Sequence, residues 1–178
     1  MIIQQKKIAE SPAKQYSIYI KFASMRFKFY NGGFIEDLES YIRDYLEKHP
    51  DVEVFIGTDS AKAGNANEQP MTVFVTTICF RHPGNGVHYI YSKEKRPRIK
   101  DLFNKIWSEV ERTNEVASFV KPIIGDRTLF LDLDINSLKQ HESNIAYAAA
   151  NGFLVGQGYS VRSKPQAWAA HAADWLLR

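Results

Sequence analysis

Cysteine is all but missing from this chain. Cys79, alone among 178 residues, excludes an internal disulfide and any multi-cysteine metal centre, and its place inside an apolar, strand-like run reads as a core thiol. Long hydrophobic runs are missing too. No stretch approaches the roughly 20 apolar residues of a membrane helix, and the start lacks the apolar core of a secretory signal, so the expected location is the cytoplasm with no membrane partner. Nor does one sign of charge dominate. A net charge of +3 permits a nucleic-acid partner without demanding one. With 44% hydrophobic residues the chain can bury one good core and is too short for two generous domains. The expected organisation is an N-terminal arm, strand and helix over residues 1–50 and one domain over residues 51–178.

What is present is organised around residues 53–60, Glu-Val-Phe-Ile-Gly-Thr-Asp-Ser. Val54, Phe55 and Ile56 make a buried strand, and Gly57 and Ser60 are small enough to let another backbone or a ligand come close. Asp59 then stands at the strand's end, where burial forces a choice. Its carboxylate is either hydrogen-bonded by nearby backbone amides or committed to a cation.

The rest of the chain supplies the frame. Residues 1–15 show no periodicity and read as a loosely docked arm; residues 16–30 alternate as one or two half-buried strands, and residues 34–48 repeat as an amphipathic helix with Glu36 and Asp37 in its first turn. After a polar loop at 61–70, residues 71–80 and 87–91 pair as a hairpin across the turn at 82–86. A basic run follows at 92–100, with Lys93, Lys95, Arg96, Arg98 and Lys100 around Pro97. Charge runs are commonly solvated connections, and that reading stands beside a phosphate-binding one.

The spacing predicts a long helix over 98–120, broken at Pro122. On its wheel Glu109 lies beside the apolar stripe while Glu111 and Glu115 point to solvent, so Glu109 alone of the three can reach under the helix toward a sheet. A second buried strand at 127–135 places Leu131, Leu133 and Ile135 on one face and Asp132 and Asp134 on the other, with Asp134 nearer the end. A helix over 138–151 capped by Asn136-Ser137, a short strand at 159–162 and a terminal helix over 167–178 complete the chain. In that last helix His171 and Asp174 share a flank beside Trp168, Ala172 and Trp175.

This order forces parallel strands in its second half, and a mixed α/β sheet with helices on both faces is the economical solution. Ligands in such sheets gather beyond the carboxyl ends of strands, where Asp59 and Asp134 fall. If their strands are neighbours, two uncompensated carboxylates lie side by side, and their natural partner is an oxygen-seeking divalent cation, magnesium or manganese.

The set Ile56-Gly57-Thr58-Asp59-Ser60, helical Glu109, Asp132-Leu133-Asp134-Ile135 and the Lys164-Pro165 helix ending in Asp174 resembles the bacterial YkuK-type family, itself assigned to the ribonuclease H-like superfamily. The resemblance spans about residues 27–178. It implies a five-stranded mixed sheet of order 3-2-1-4-5 and a metal-dependent nuclease centre, to which the N-terminal strand and helix read from the residues would be an extension. By position Asp59 matches the first-strand aspartate, Glu109 the helical glutamate, Asp134 the fourth-strand aspartate and Asp174 the last-helix acid, with His171 as the alternative. Such a site runs two-metal hydrolysis of phosphodiesters, and the basic run with Arg162 and Lys164 would hold the polyanion by its phosphates. Two competitors belong to other classes. A non-catalytic nucleic-acid or protein binding module uses the same fold. A haloacid-dehalogenase-like phosphatase would take Asp132 as nucleophile, but the chain after Asp134 is too short for its later elements and the motif lacks the following threonine.

Overall fold

The computed structural model describes residues 25–64, 69–136 and 142–178. Among these, six strands form one sheet: β1 (Phe27–Phe29), β2 (Glu53–Ala63), β3 (Met71–His82), β4 (Gly86–Pro97), β5 (Leu129–Asn136) and β6 (Ser160–Lys164). The α-helices are α1 (Leu38–Lys48), α2 (Leu102–Ile124), α3 (Tyr147–Gly156) and α4 (Trp168–Leu177), with a 3-10 turn at Glu142–Ala146 before α3. Across the sheet the order is β1-β4-β3-β2-β5-β6. Hairpins join β2 to β3 and β3 to β4 in antiparallel pairs, whereas β5 pairs in parallel with both β2 and β6. Strands β2 to β6 thus stand in the 3-2-1-4-5 order, and the N-terminal extension adds β1 as a sixth, short strand on the β4 edge.

Alternation along β2 assigns the two faces. Val54 and Ile56 join the larger core with Val110, Val116 and Val120 of α2, Ile42 and Leu46 of α1 and Leu154 of α3. Phe55 and Gly57 face α4 instead. That helix meets the sheet through Ala169, Ala170 and Ala173, and small residues let it sit close. A Cβ on Gly57 would lie 2.3 Å from the Ala170 nitrogen, so only glycine admits the helix here.

Several boundaries differ from the sequence reading, each for a local reason. Helix α1 starts at Leu38 because Asp37 takes the cap position, accepting the Ser40 N–H at 3.0 Å, and Phe34 instead bridges to Lys28. Asp101 caps α2 in the same way through the Asn104 N–H at 2.8 Å. That helix runs through Pro122 to Ile124: the proline forfeits one hydrogen bond in the last turn, while buried Ile123 and Ile124 hold the turn on the core. Helix α3 passes Gly152 and ends at Gly156, anchored by buried Ala150 and Leu154. The basic run is the second half of β4 rather than a connection, paired along its length with β3. The strands expected before residue 25 and the cap residue Ser137 lie outside the described residues.

Candidate active site

The sheet opens a notch where its two central parallel strands part. Strands β2 and β5 pair only as far as Thr58 and Leu133, and one residue further along come Asp59 and Asp134, both on the α4 face by alternation. Asp59 is therefore not at the end of its strand, as the sequence suggested. Its strand continues to Ala63 because the β3 hairpin partner carries it on alone. Asp59 is 7% exposed and accepts the Ser60 N–H at 2.8 Å. Burial, and then the charge of Asp134, push its carboxyl up to about 6 against the pull of the Ser60 amide and Lys105, with the Asp174 charge adding the smallest share. Asp134 is paired with Lys164 at 2.7 Å.

Glu109 reaches the notch from the opposite face. It is buried on the sheet side of α2, where the Ser60 hydroxyl donates to its Oε1 at 2.5 Å. Lys105, one helical turn earlier, places its Nζ 3.3 Å from the same oxygen and 3.2 Å from the Ser60 carbonyl. Burial drives the Glu109 carboxyl up to about 7; Lys105 and the Ser60 hydroxyl restrain the rise and the Asp59 charge adds to it. Glu111 is exposed and Glu115 half-buried. Behind them a buried hydroxyl chain runs from Thr113 to Thr58 to Thr76, each step 2.9 Å. Sequence reasoning missed Lys105, whose signal was its spacing of four from Glu109.

The terminal helix is held by a clasp beneath the notch. Arg162 grips Asp132 with two nitrogens at 2.8 and 2.9 Å, and the same carboxylate accepts the Ala169 N–H at 2.8 Å at the start of α4, where a negative charge suits the helix dipole. Thr77 adds a hydrogen bond to the Ala169 carbonyl at 2.7 Å. Asp132, with no exposed surface, is thus structural, which removes the nucleophile that the phosphatase reading needs. Arg162 is spoken for as well, its guanidinium stacked 4.3 Å over Phe55, so it is not a free phosphate ligand. Helix α4 buries Ala169, Ala170 and Ala173 rather than the expected stripe, leaving Trp175 61% exposed. Of the two candidates on it, Asp174 is half-buried, paired with Arg178 at 2.6 Å, and acts electrostatically on Asp59. His171 is exposed.

Strand alternation divides the basic run. Lys93 and Lys95 lie opposite Val75 and Val73, which face Asp59 and Ala61 of β2 in turn, so these lysines share the α4 face with Asp59. Lys93 Nζ also reaches the Leu176 carbonyl at 3.3 Å. Arg96 points to the other face and pairs with Glu94, which Arg112 also holds at 3.1 Å. Arg98 is half-buried, its Nε lacking a hydrogen-bond partner, and Lys100 is exposed. The run is two sets of cations, not one rail. Lys164 belongs to Asp134. Tyr91, just before the run, is buried in the sheet.

Among the described residues no three histidine, cysteine, aspartate or glutamate side chains converge as a ligand set. The donors at the notch are all carboxylate oxygens; burial first, and neighbouring acids to a lesser degree, raise Asp59 and Glu109, and a hard divalent cation would offset both costs. Lysines 105 and 164 supply part of that positive charge here. Oxygen donors are the kind that magnesium or manganese takes, but as placed only the donor type, not a converged ligand set among the described residues, fits such an ion.

Five core strands in this order, with both crossover helices on one face and the terminal helix on the other, define the ribonuclease H-like class of fold. Residues 34–175 match the Ribonuclease H-like family, and the chain belongs to it. No curated protein and no solved structure matches the chain. Among the described residues no helix is long and apolar enough to cross a membrane.

Proposed function

We propose that the protein is a cytoplasmic, divalent-metal-dependent nuclease hydrolysing phosphodiester bonds of a nucleic acid. The observation that carries this reading is the buried Asp59 beside Asp134 at the notch, a carboxylate raised by burial and by its acidic neighbours. Asp59, Asp134, Asp174 and Glu109 would hold magnesium or manganese, two ions in all, which when bound activate water and neutralise charge at the leaving oxygen. Asp174 takes the fourth place ahead of His171 because its charge is felt at Asp59. Around them the chain's own groups set the stage. Ser60 and Lys105 orient Glu109, whose carboxyl is raised to about 7 and so can hold or release a proton near neutrality. Lys93 and Lys95, on the Asp59 face, hold phosphates of the substrate.

A second reading has one observation in its favour. Lys105 on Glu109 and Lys164 on Asp134 already balance two of the four carboxylates, which suits a non-catalytic nucleic-acid or protein binding module. Calorimetric titration with manganese, run beside hydrolysis of a labelled oligonucleotide, separates the two. The nuclease binds manganese and cleaves, and Asp59→Asn loses both. Absence of both from the wild type, with oligonucleotide binding retained, overturns the nuclease in favour of the binding module.

A further inference from the structure

The α4 face of the sheet is covered by that helix only over its centre. Beyond the helix, toward the β1 edge, lies a surface the sequence reading did not single out. Arg26, Lys28 and Tyr30 alternate onto this face from β1 and its flanks, and Phe34 joins them through its bridge to Lys28. Cations and rings interleave there. The Arg26 guanidinium stacks 4.2 Å over Phe34, Lys28 Nζ lies 5.0 Å over Tyr91, and Tyr30 meets Tyr89 edge-on at 6.2 Å. Yet the outer rings stay open to solvent, Tyr30 at 63% and Phe34 at 52%. A recess of about 270 Å³ lies among Arg26, Lys28, Phe34 and Lys93, and it also takes in Glu94, whose charge Arg96 and Arg112 already hold.

Register ties this surface to the notch. Tracing the row through Asp59 of β2, Val75 of β3 and Lys93 of β4 leads to the position of Arg26 beside β1. At roughly 4.8 Å per strand the row is about 14 Å long. One face therefore carries acids at one end and cations interleaved with exposed rings at the other.

We propose that the exposed β1–β4 face, formed by Arg26, Lys28, Tyr30, Phe34, Lys93 and Lys95, is a docking platform for single-stranded nucleic acid leading to the carboxylate notch. The argument is charge complementarity together with ring exposure. The cations match a phosphate backbone. Open tyrosine and phenylalanine rings match bases free of a duplex, because a paired and stacked base has no face to offer. The proposal rests on the nuclease reading for the identity of the partner, but its test does not.

Binding of fluorescent 20-nucleotide single strands, DNA and RNA, and of the corresponding duplexes is measured by anisotropy over a salt series in EDTA, where hydrolysis plays no part. The wild type is expected to prefer single strands over duplex. Tyr30→Ala and Phe34→Ala weaken single-strand binding about tenfold each with little change in salt slope. Lys28→Ala reduces the slope by about one. Equal affinity for duplex, or no loss in the ring variants, overturns the platform, as does finding that the same variants lose self-association rather than oligonucleotide affinity. Binding that persists in Asp59→Asn without any metal uptake by the wild type supports the platform while removing the nuclease; cleavage without single-strand preference does the reverse.

Discussion

Asp59 is buried among other acids with the Ser60 amide as its sole hydrogen-bond donor among the described residues. Folding the metal-free protein therefore works against its charge, and removing that charge without changing the side chain's shape should cost the fold nothing. Asp59→Asn is expected to abolish metal-dependent hydrolysis while its apo melting temperature at pH 8 equals or exceeds that of the wild type. A lower melting temperature would mark Asp59 as a structural hydrogen-bond centre. Glu109 allows a comparison inside one helix. Its carboxylate reaches Ser60 on β2, whereas Glu111 faces solvent and Glu115 is half-buried. Glu109→Gln should lower kcat by two orders of magnitude or more, a loss on the scale of a displaced catalytic contact, and Glu111→Gln and Glu115→Gln should leave it within twofold. Steady-state kinetics on one oligonucleotide decides it. The wheel made Glu109's direction legible from sequence alone. Its engagement by Ser60 and Lys105 was not, because that depends on how closely α2 lies on β2.

Among elements, α4 is the one most dependent on a single position. The Ala170 backbone lies where a Gly57 side chain would go, so Gly57→Ala must push the helix off the sheet and strain the Asp132 and Thr77 bonds to Ala169. The expected loss of stability is roughly 1–3 kcal/mol, the range for overpacking, read from denaturant midpoints. Activity should fall further than stability, since Asp174 rides on the same helix. In β4 the alternation of side chains makes a second contrast. Lys95 lies on the face of Asp59 and Arg96 on the other, paired with Glu94. Lys95→Ala should reduce the salt slope of oligonucleotide binding by about one and Arg96→Ala should not. Equal slopes would return the run to a single solvated strip.

At the scale of the whole molecule, the two raised carboxylates make stability fall as the pH rises, while the lowered His88 imidazole acts in the opposite sense. The carboxylates' folded pKa values of about 6 and about 7 lie above their ordinary ones, so the folded state holds protons that the unfolded state gives up first. That contribution is complete below about pH 4, and it is lost as the pH rises through 6 and 7. The apo protein should lose a few kcal/mol across this window, at about 1.4 kcal/mol per pKa unit, and the double variant Asp59→Asn, Glu109→Gln should flatten the profile measured by urea unfolding. The identity of most elements, the direction of Glu109 and the shared face of Asp132 and Asp134 were readable in the chain, because apolar period and turn residues act locally; the strand order came only with the family resemblance and is a matter of long-range pairing. How each aspartate is paired was not readable there. Position along β5 already favoured Asp134 for the notch, but only the placement of β6 and α4 gives Asp132 to Arg162 and the Ala169 amide and Asp134 to Lys164. The split of the basic run had the same origin, since residues 92–97 read as a connection until pairing with β3 made them a strand. Local pattern determines what each element is; contacts between residues far apart in the chain decide which of its charges are already paired and which are left for a ligand.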